Sequence, residues 1–351
     1  MTVCDLVIGG AGFIGRHVVA ALLTTGREVR VLDTAPRPAG FDDVAYIQGS
    51  ITRPETVRAA FEGVTRAFHL AAIPELWAPD PTIFDKVNVA GTDNVLDAAR
   101  VTPTLEAFVH TSSETALVAR RGRPRPARLD ETVELAPDAV IGRYAASKRR
   151  AECAVLAAAR HGLPATVVIP TMPLGPGDTN RTPPTRMIAD LLAGRTPAYA
   201  EVSMNIVDVR DCAEGHLLAA LYGVTGERYL LGGANIQMSA LLGELALVTD
   251  QRMPHRRIPG SVAHHFARLE TWLADRLTGK APTAPKDGVE IALCQRPFDS
   301  TKARRALGFR TRPLSVTLQD TAAWLRSNDN QAFDAANDEN APNQDPAPGR
   351  D

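Results

Sequence analysis

The 351-residue sequence has no excess of positive charge, with 39 Lys and Arg against 40 Asp and Glu. That balance argues against a nucleic-acid binder, whose affinity comes largely from basic side chains against phosphates. No apolar run reaches the roughly 18 residues of a membrane span, so no membrane-spanning segment is expected. The opening residues, MTVCDLVIGG, carry no positive stretch ahead of an apolar one. The expectation is a protein neither secreted nor integral to a membrane, at work in the cytoplasm. Its 4 cysteines, Cys4, Cys153, Cys212 and Cys294, form no CxxC pair and have no His at metal-ligand spacing. No metal site is expected, and buried free thiols in a reducing compartment are the simplest reading.

What is present is an ordinary globular balance, 44% hydrophobic and 23% charged. The length suits either one large α/β unit or two domains. In the first half, apolar β-rich runs alternate with helical stretches. Residues 3–10, 28–33, 44–48, 67–72, 108–113 and 165–170 read as strands, and 14–25, 54–62, 84–100 and 144–161 as helices. Strand and helix alternating with short connections means right-handed crossovers and a parallel sheet. The fold class expected is α/β, a doubly wound parallel sheet of Rossmann type with a smaller C-terminal substrate lobe.

The predicted division puts a cofactor-binding domain at 1–170 and a substrate-binding lobe at 171–327, with strands near 205–209 and 228–231 returning to the sheet. In that lobe SVAHHFARLETWLADRLTG places Val262, Phe266, Leu269, Trp272, Leu273 and Leu277 at helical spacing. An amphipathic helix packed on the lobe by that stripe is expected. Residues 328–351 are rich in Asn, Asp, Ala and Pro with little to bury, and read as a disordered acidic tail.

The first strand runs into GGAGFIG, with glycines at 9, 12 and 15. Gly9 and Gly12 allow a tight turn close to a pyrophosphate, and Gly15 allows the helix to pack on the strand. The helix start at Phe13 and Ile14 offers free N–H groups to phosphate. The next strand ends at Asp33, about 20 residues on, where a carboxylate accepts from ribose hydroxyls and repels a 2′-phosphate. NAD is favoured on that ground; Arg16 and Arg37 leave NADP open, Arg37 being equally readable as a solvated loop charge.

Tyr144 and Lys148 stand four residues apart in RYAASKRR, on one helix face with Cβ atoms about 5–6 Å apart. An ammonium beside a phenol favours the phenolate, so Tyr144 is expected to titrate nearer neutrality and to exchange a proton. Ser113, in HTSSET at a strand end, is expected at the carboxyl edge of the sheet, where ligands bind in open α/β folds.

These motifs together resemble the extended short-chain dehydrogenase/reductases, the NAD-dependent epimerase/dehydratase family. The likeness runs over nearly all of residues 1–327 and rests on GGAGFIG, FHLAA, NVAGTDNVLDAA, HTSS, YAASK, GPGD, NIVDVRDCAEGHL and FDSTKARRALGF. Within the family the chain looks most similar to hopanoid-associated sugar epimerases, dihydroflavonol 4-reductases and 3β-hydroxysteroid dehydrogenases. The resemblance implies that Tyr144 is the general acid/base, that Lys148 tunes it and holds the nicotinamide ribose, and that Ser113 steadies the substrate oxygen. It also implies Ala71 and Ala72 beside the cofactor, Asn88 near the site, and a homodimer formed by the helices at 84–100 and 144–161. One departure is Gly49-Ser50, where the family usually has Gly-Asp with the Asp touching adenine.

The substrate is expected to be a small molecule. Ser113-Glu114-Thr115 lacks the Thr-Asp-Glu expected of a nucleotide-sugar dehydratase, and Glu114 reads as a solvent-facing carboxylate. Val202, Ser203 and Met204 stand where sugar-nucleotide enzymes often carry an Arg for the diphosphate. Arg186 and Arg296 each read equally as a substrate-anion contact or a surface charge. Trp77, Met172, Leu174, Met187 and Met204 are candidates to line an apolar pocket, although a Met in such a place is often plain core. The reading is an NAD(P)-dependent oxidoreductase of a ketone or secondary alcohol on a terpenoid, steroid-like or polyketide-like molecule. The alternative is a nucleotide-sugar epimerase returning its hydride within one turnover.

Overall fold

The computed structural model describes residues 3–122 and 126–339, with side chains to 327. The first half runs β1 (Cys4–Ile8), α1 (Phe13–Leu23), β2 (Glu28–Asp33), β3 (Ala45–Gln48), α2 (Pro54–Ala60), β4 (Val64–His69), a π-helical segment Phe84–Ala90, α3 (Gly91–Arg100), β5 (Ala107–Thr111), a 3₁₀ turn Glu114–Leu117, α4 (Gly142–Arg160) and β6 (Ala165–Pro170). The second half runs β7 (Met172–Leu174), α5 (Pro183–Leu192), β8 (Tyr199–Ala200), β9 (Ser203–Asp208), α6 (Val209–Tyr222), β10 (Arg228–Leu231), β11 (Ala234–Gln237), α7 (Met238–Thr249), β12 (Arg257–Ile258), α8 (Gly260–Leu273) with its π-helical continuation Ala274–Thr278, α9 (Lys286–Cys294), α10 (Thr301–Leu307) and α11 (Leu314–Glu339).

Seven parallel strands make the main sheet in the order β10-β6-β5-β4-β1-β2-β3. All residues of β1 and β6 are buried, because helices cover both faces of a parallel sheet and leave no strand face for water. Val18, Val19 and Leu22 of α1, with Cys212 and Ala213 of α6, pack on one face. Val57, Val95, Leu96, Val155 and Ile291 pack on the other. The strand order reverses between β1 and β4, with β2 and β3 added on one side and β4, β5 and β6 on the other, which opens a crevice at the carboxyl ends of these parallel strands.

A third cluster, built from Leu174, Ile188, Met204, Ile206, Leu241, Leu245, Leu318 and Leu325, is the core of a smaller lobe formed by α5, α7, α11 and the sheet β11-β9-β7. Three expectations are corrected here. Of the two strands expected to return to the main sheet, β10 does so beside β6, while β9 pairs with β7 and β11. The sheet has one edge next to β6, and β10 fills it. The stripe on α8 does not pack inward: Ala267, Thr271 and Ala274 face the protein, and Phe266 and Trp272 are 61% and 53% exposed. Finally, α11 continues through Glu339, so the helix reaches well into the segment expected to be an irregular tail. Residues 328–341 contain no Pro or Gly to break it. Residues 340–351 of that tail lie outside the described residues.

Candidate active site

Beyond β1 the chain turns at Gly9, which has φ +88°. A Cβ on Gly9 would stand 2.6 Å from Ala71 N, and one on Gly15 would stand 2.1 Å from Gly9 O. Only glycine lets α1 press so closely on the strand end and lets the turn lie against the chain leaving β4. α1 starts after Gly12 with no side-chain cap, which leaves the first N–H groups, at Phe13 and Ile14, open to an anion. Asp33 closes the other side: its Oδ2 accepts from Ala11 N at 2.9 Å and its Oδ1 from Ala35 N at 3.0 Å. A bare backbone cradle, an uncapped helix and a carboxylate at its rim fit a dinucleotide. Arg16 donates to Ala11 O at 2.9 Å, and Arg37 lies over the Tyr46 ring at 5.7 Å. Ala71 N donates to Ile8 O, so Ala71 and Ala72 follow β4 along the crevice. Ser50, at the departure from the family pattern, bonds Thr52 Oγ1 at 2.8 Å.

Past β5, Ser113 accepts from Thr115 N at 3.3 Å and stands 3.0 Å from Thr115 Oγ1, so the 3₁₀ turn fixes its hydroxyl. Tyr144, in the first turn of α4, has the Ser113 hydroxyl beside its phenol. Its ring meets Phe84 edge-on at 6.4 Å. One turn later Lys148 is buried, its Nζ donating to Thr111 O at 2.6 Å. The three side chains therefore gather at the carboxyl end of β5. Asn88 braces them: its amide donates to Ser147 Oγ at 2.9 Å and its carbonyl accepts from Ile73 N at 2.8 Å.

The electrostatics differ from what spacing alone suggested. Burial pushes the Tyr144 phenol up, and the Ser113 hydroxyl opposes this only in part. The Lys148 ammonium is directed at the Thr111 carbonyl and does not offset that burial, so the expected depression of Tyr144 is absent from the chain by itself. Burial also brings Lys148 down to about 8, with the Glu152 carboxylate opposing. Glu152 is fully buried and accepts from Ser112 Oγ, Arg149 and Arg228. The His69 and His110 rings lie 5.1 Å apart, tilted by 51°, and burial keeps both imidazoles neutral.

Glu114 is a further correction. It is half-buried rather than solvent-facing, accepts from Gln295 Nε2 at 3.1 Å, and burial raises its carboxyl to about 8. The sequence offered no signal for Gln295, 181 positions away. Of the expected substrate contacts, Arg186 pairs with Glu75 at 2.7 Å and Trp77 donates to Asp275 Oδ1 at 2.8 Å. Met172 packs on the small-lobe core, and Arg296 is exposed. Among the described residues no group of His, Cys, Asp and Glu is arranged to hold a metal.

The sequence profile of the NAD dependent epimerase/dehydratase family matches residues 6–232. The chain belongs to that family. It is accordingly an NAD(P)-dependent enzyme. It is 33% identical to a Synechocystis protein provisionally named dihydroflavonol 4-reductase, over 93% of this chain and 96% of the relative. It is 31% identical to the 3 beta-hydroxysteroid dehydrogenase/Delta 5→4-isomerase of Mycobacterium tuberculosis, over 90% of this chain and 87% of that one. Among solved structures, gox2253 superposes with a TM-score of 0.80 at 36% identity, covering 93% of this chain and 99% of that chain. The UDP-glucose 4-epimerase of Thermus thermophilus, a complex with NAD, has a TM-score of 0.72 at 24% identity, over 92% of this chain and 99% of its own, and shows the fold alone.

Proposed function

We propose that this family member interconverts a ketone and a secondary alcohol on an apolar, terpenoid, steroid-like or polyketide-like molecule, with Tyr144 as general acid/base. The observation that carries the reading is the convergence of Ser113, Tyr144 and Lys148 at the end of β5, beside the glycine cradle. Gly9, Gly12, Gly15 and the N–H groups of Phe13 and Ile14 would hold the cofactor pyrophosphate, with Asp33 on the adenosine ribose and Ala71 and Ala72 along its length. NAD, when bound, supplies the hydride acceptor or donor.

The chain's own work is proton transfer and orientation. Tyr144, kept protonated by burial, gives its proton to the substrate oxygen as the carbonyl is reduced and takes it back in the reverse direction. Ser113 holds that oxygen in line, its own rotamer fixed by Thr115. Lys148, seated on Thr111 O one turn behind the phenol, would hold the nicotinamide ribose with its remaining ammonium protons. Asp33 supports NAD over NADP, because both its oxygens already face the glycine turn and its own loop, and Arg37 is engaged with Tyr46.

An apolar substrate is supported by Arg186 being tied to Glu75 instead of open to a diphosphate, and by the steroid and farnesyl-quinoline names of several relatives. Arg296 favours the second reading, a nucleotide-sugar epimerase, because it is an exposed guanidinium with no hydrogen bond or ion pair among the described residues. Thermal shift of the NAD-saturated protein tests both. Stabilisation by apolar secondary alcohols together with net NADH formation supports the first; stabilisation by UDP-hexoses alone replaces it with the second.

A further inference from the structure

Among the described residues nothing covers the outward face of α8. Val262, Phe266 and Leu269 follow one another at spacings of four and three, Leu277 continues the stripe, and Trp272 flanks it, all more than half exposed. An exposed apolar patch of this kind marks an interaction site. The rim of the stripe is positive: Arg268, Arg276 and Lys280 are exposed. Asp275, which accepts from the Trp77 indole, is the exposed carboxylate among these three cations, and Glu270 is half-buried on the N–H groups of Thr283 and Ala284, so the rim keeps a positive balance.

This charge pattern decides between occupants. Two copies pairing antiparallel through α8 would bring the mid-helix Arg268 of each near that of the other, and like charges repel. A surface carrying phosphates complements it. We propose that α8 docks the protein on an anionic lipid bilayer, with Phe266, Leu269 and Trp272 entering the headgroup boundary and Arg268, Arg276 and Lys280 against lipid phosphates. The helix lies in the surface and does not cross it, since no described helix is long and apolar enough to span.

The test uses the full chain without substrate or cofactor, so its result is independent of the proposed reaction. Protein is sedimented with vesicles of phosphatidylcholine, with and without phosphatidylglycerol. Binding to the anionic vesicles only, weakened by salt and reduced at least about tenfold in the double variant Phe266→Ser/Trp272→Ser, is expected. Both positions are exposed, so circular dichroism and Tm should match wild type. Absence of vesicle binding, or binding that the double variant keeps, overturns docking through α8. A wild-type dimer that the double variant converts to monomer, measured by sedimentation equilibrium without vesicles, overturns it in favour of a second copy on this face.

Discussion

The Lys148 ammonium rests on the Thr111 carbonyl oxygen at 2.6 Å, one helical turn behind the Tyr144 phenol. The strand end, not the phenol, fixes that charge. Lys148 is brought down to about 8 by burial, so it holds its proton below that pH and loses it above. The expected profile of kcat/KM, which reports the free enzyme, is flat to about pH 8 and falls beyond it. Lys148→Arg, which stays charged, should remove the alkaline limb even if its plateau is lower; a limb that persists assigns the titration to another group.

Tyr144→Phe keeps the ring against Phe84 and removes only the hydroxyl. A loss in kcat of about 10²- to 10⁴-fold is expected, with NAD affinity by fluorescence titration nearly unchanged. Unchanged turnover would remove Tyr144 from the proton path.

Asp33 accepts from Ala11 N, and its proposed role is charge at the ribose; two variants separate the two. Asp33→Ala should weaken NAD about ten- to hundredfold, as for a lost hydrogen bond to a charged group, and weaken NADP less. Asp33→Asn keeps a carbonyl oxygen for Ala11 N but lacks the charge, so it should bind both cofactors comparably. Equal losses for both cofactors in both variants would make Asp33 a structural residue.

The parts legible in the sequence are local ones. Strand, glycine turn and helix are consecutive at 4–23, and Tyr144 and Lys148 share a face by helical spacing alone, so each could be read from its own window. What escaped depends on distant partners. Helical periodicity identifies a stripe but not which way it points; on α8 and its continuation the small residues Ala267 and Ala274 turn inward, and the large Phe266 and Leu269 turn out. The place of β9 was hidden because β10, later in the chain, fills the only edge beside β6. The burial of Glu114 depends on Gln295, brought in by the C-terminal end of α9.

Glu114 supplies a test of burial by pH. Its carboxyl is raised from 4.5 to about 8, so the folded state binds a proton that the unfolded state has released between those values. The stability it contributes is present in full below about pH 4.5 and is lost as pH rises through about 8. Glu114→Gln lacks this dependence. The Tm of the variant relative to wild type should therefore climb from pH 5 to pH 9; a constant difference would mean that Glu114 is solvated in solution.

Glu152 couples the stability of the fold to the titration of the site. Its buried carboxylate serves Arg149 at 2.6 Å and Arg228 at 2.7 Å, joining α4 to β10 at the edge of the sheet. Glu152→Ala would leave two buried guanidinium groups without their acid, a change that costs about 3–5 kcal/mol when one partner of a buried pair is removed. Urea unfolding should show a lower midpoint at an unchanged slope. The same carboxylate holds the Lys148 ammonium up against burial, so in Glu152→Gln, which keeps the shape, the alkaline limb of kcat/KM should move below about 8. A stability loss in Glu152→Ala with no movement of the limb in Glu152→Gln would confine Glu152 to holding β10 on the sheet. Movement of the limb without a stability loss would show that Arg149 and Arg228 find other partners.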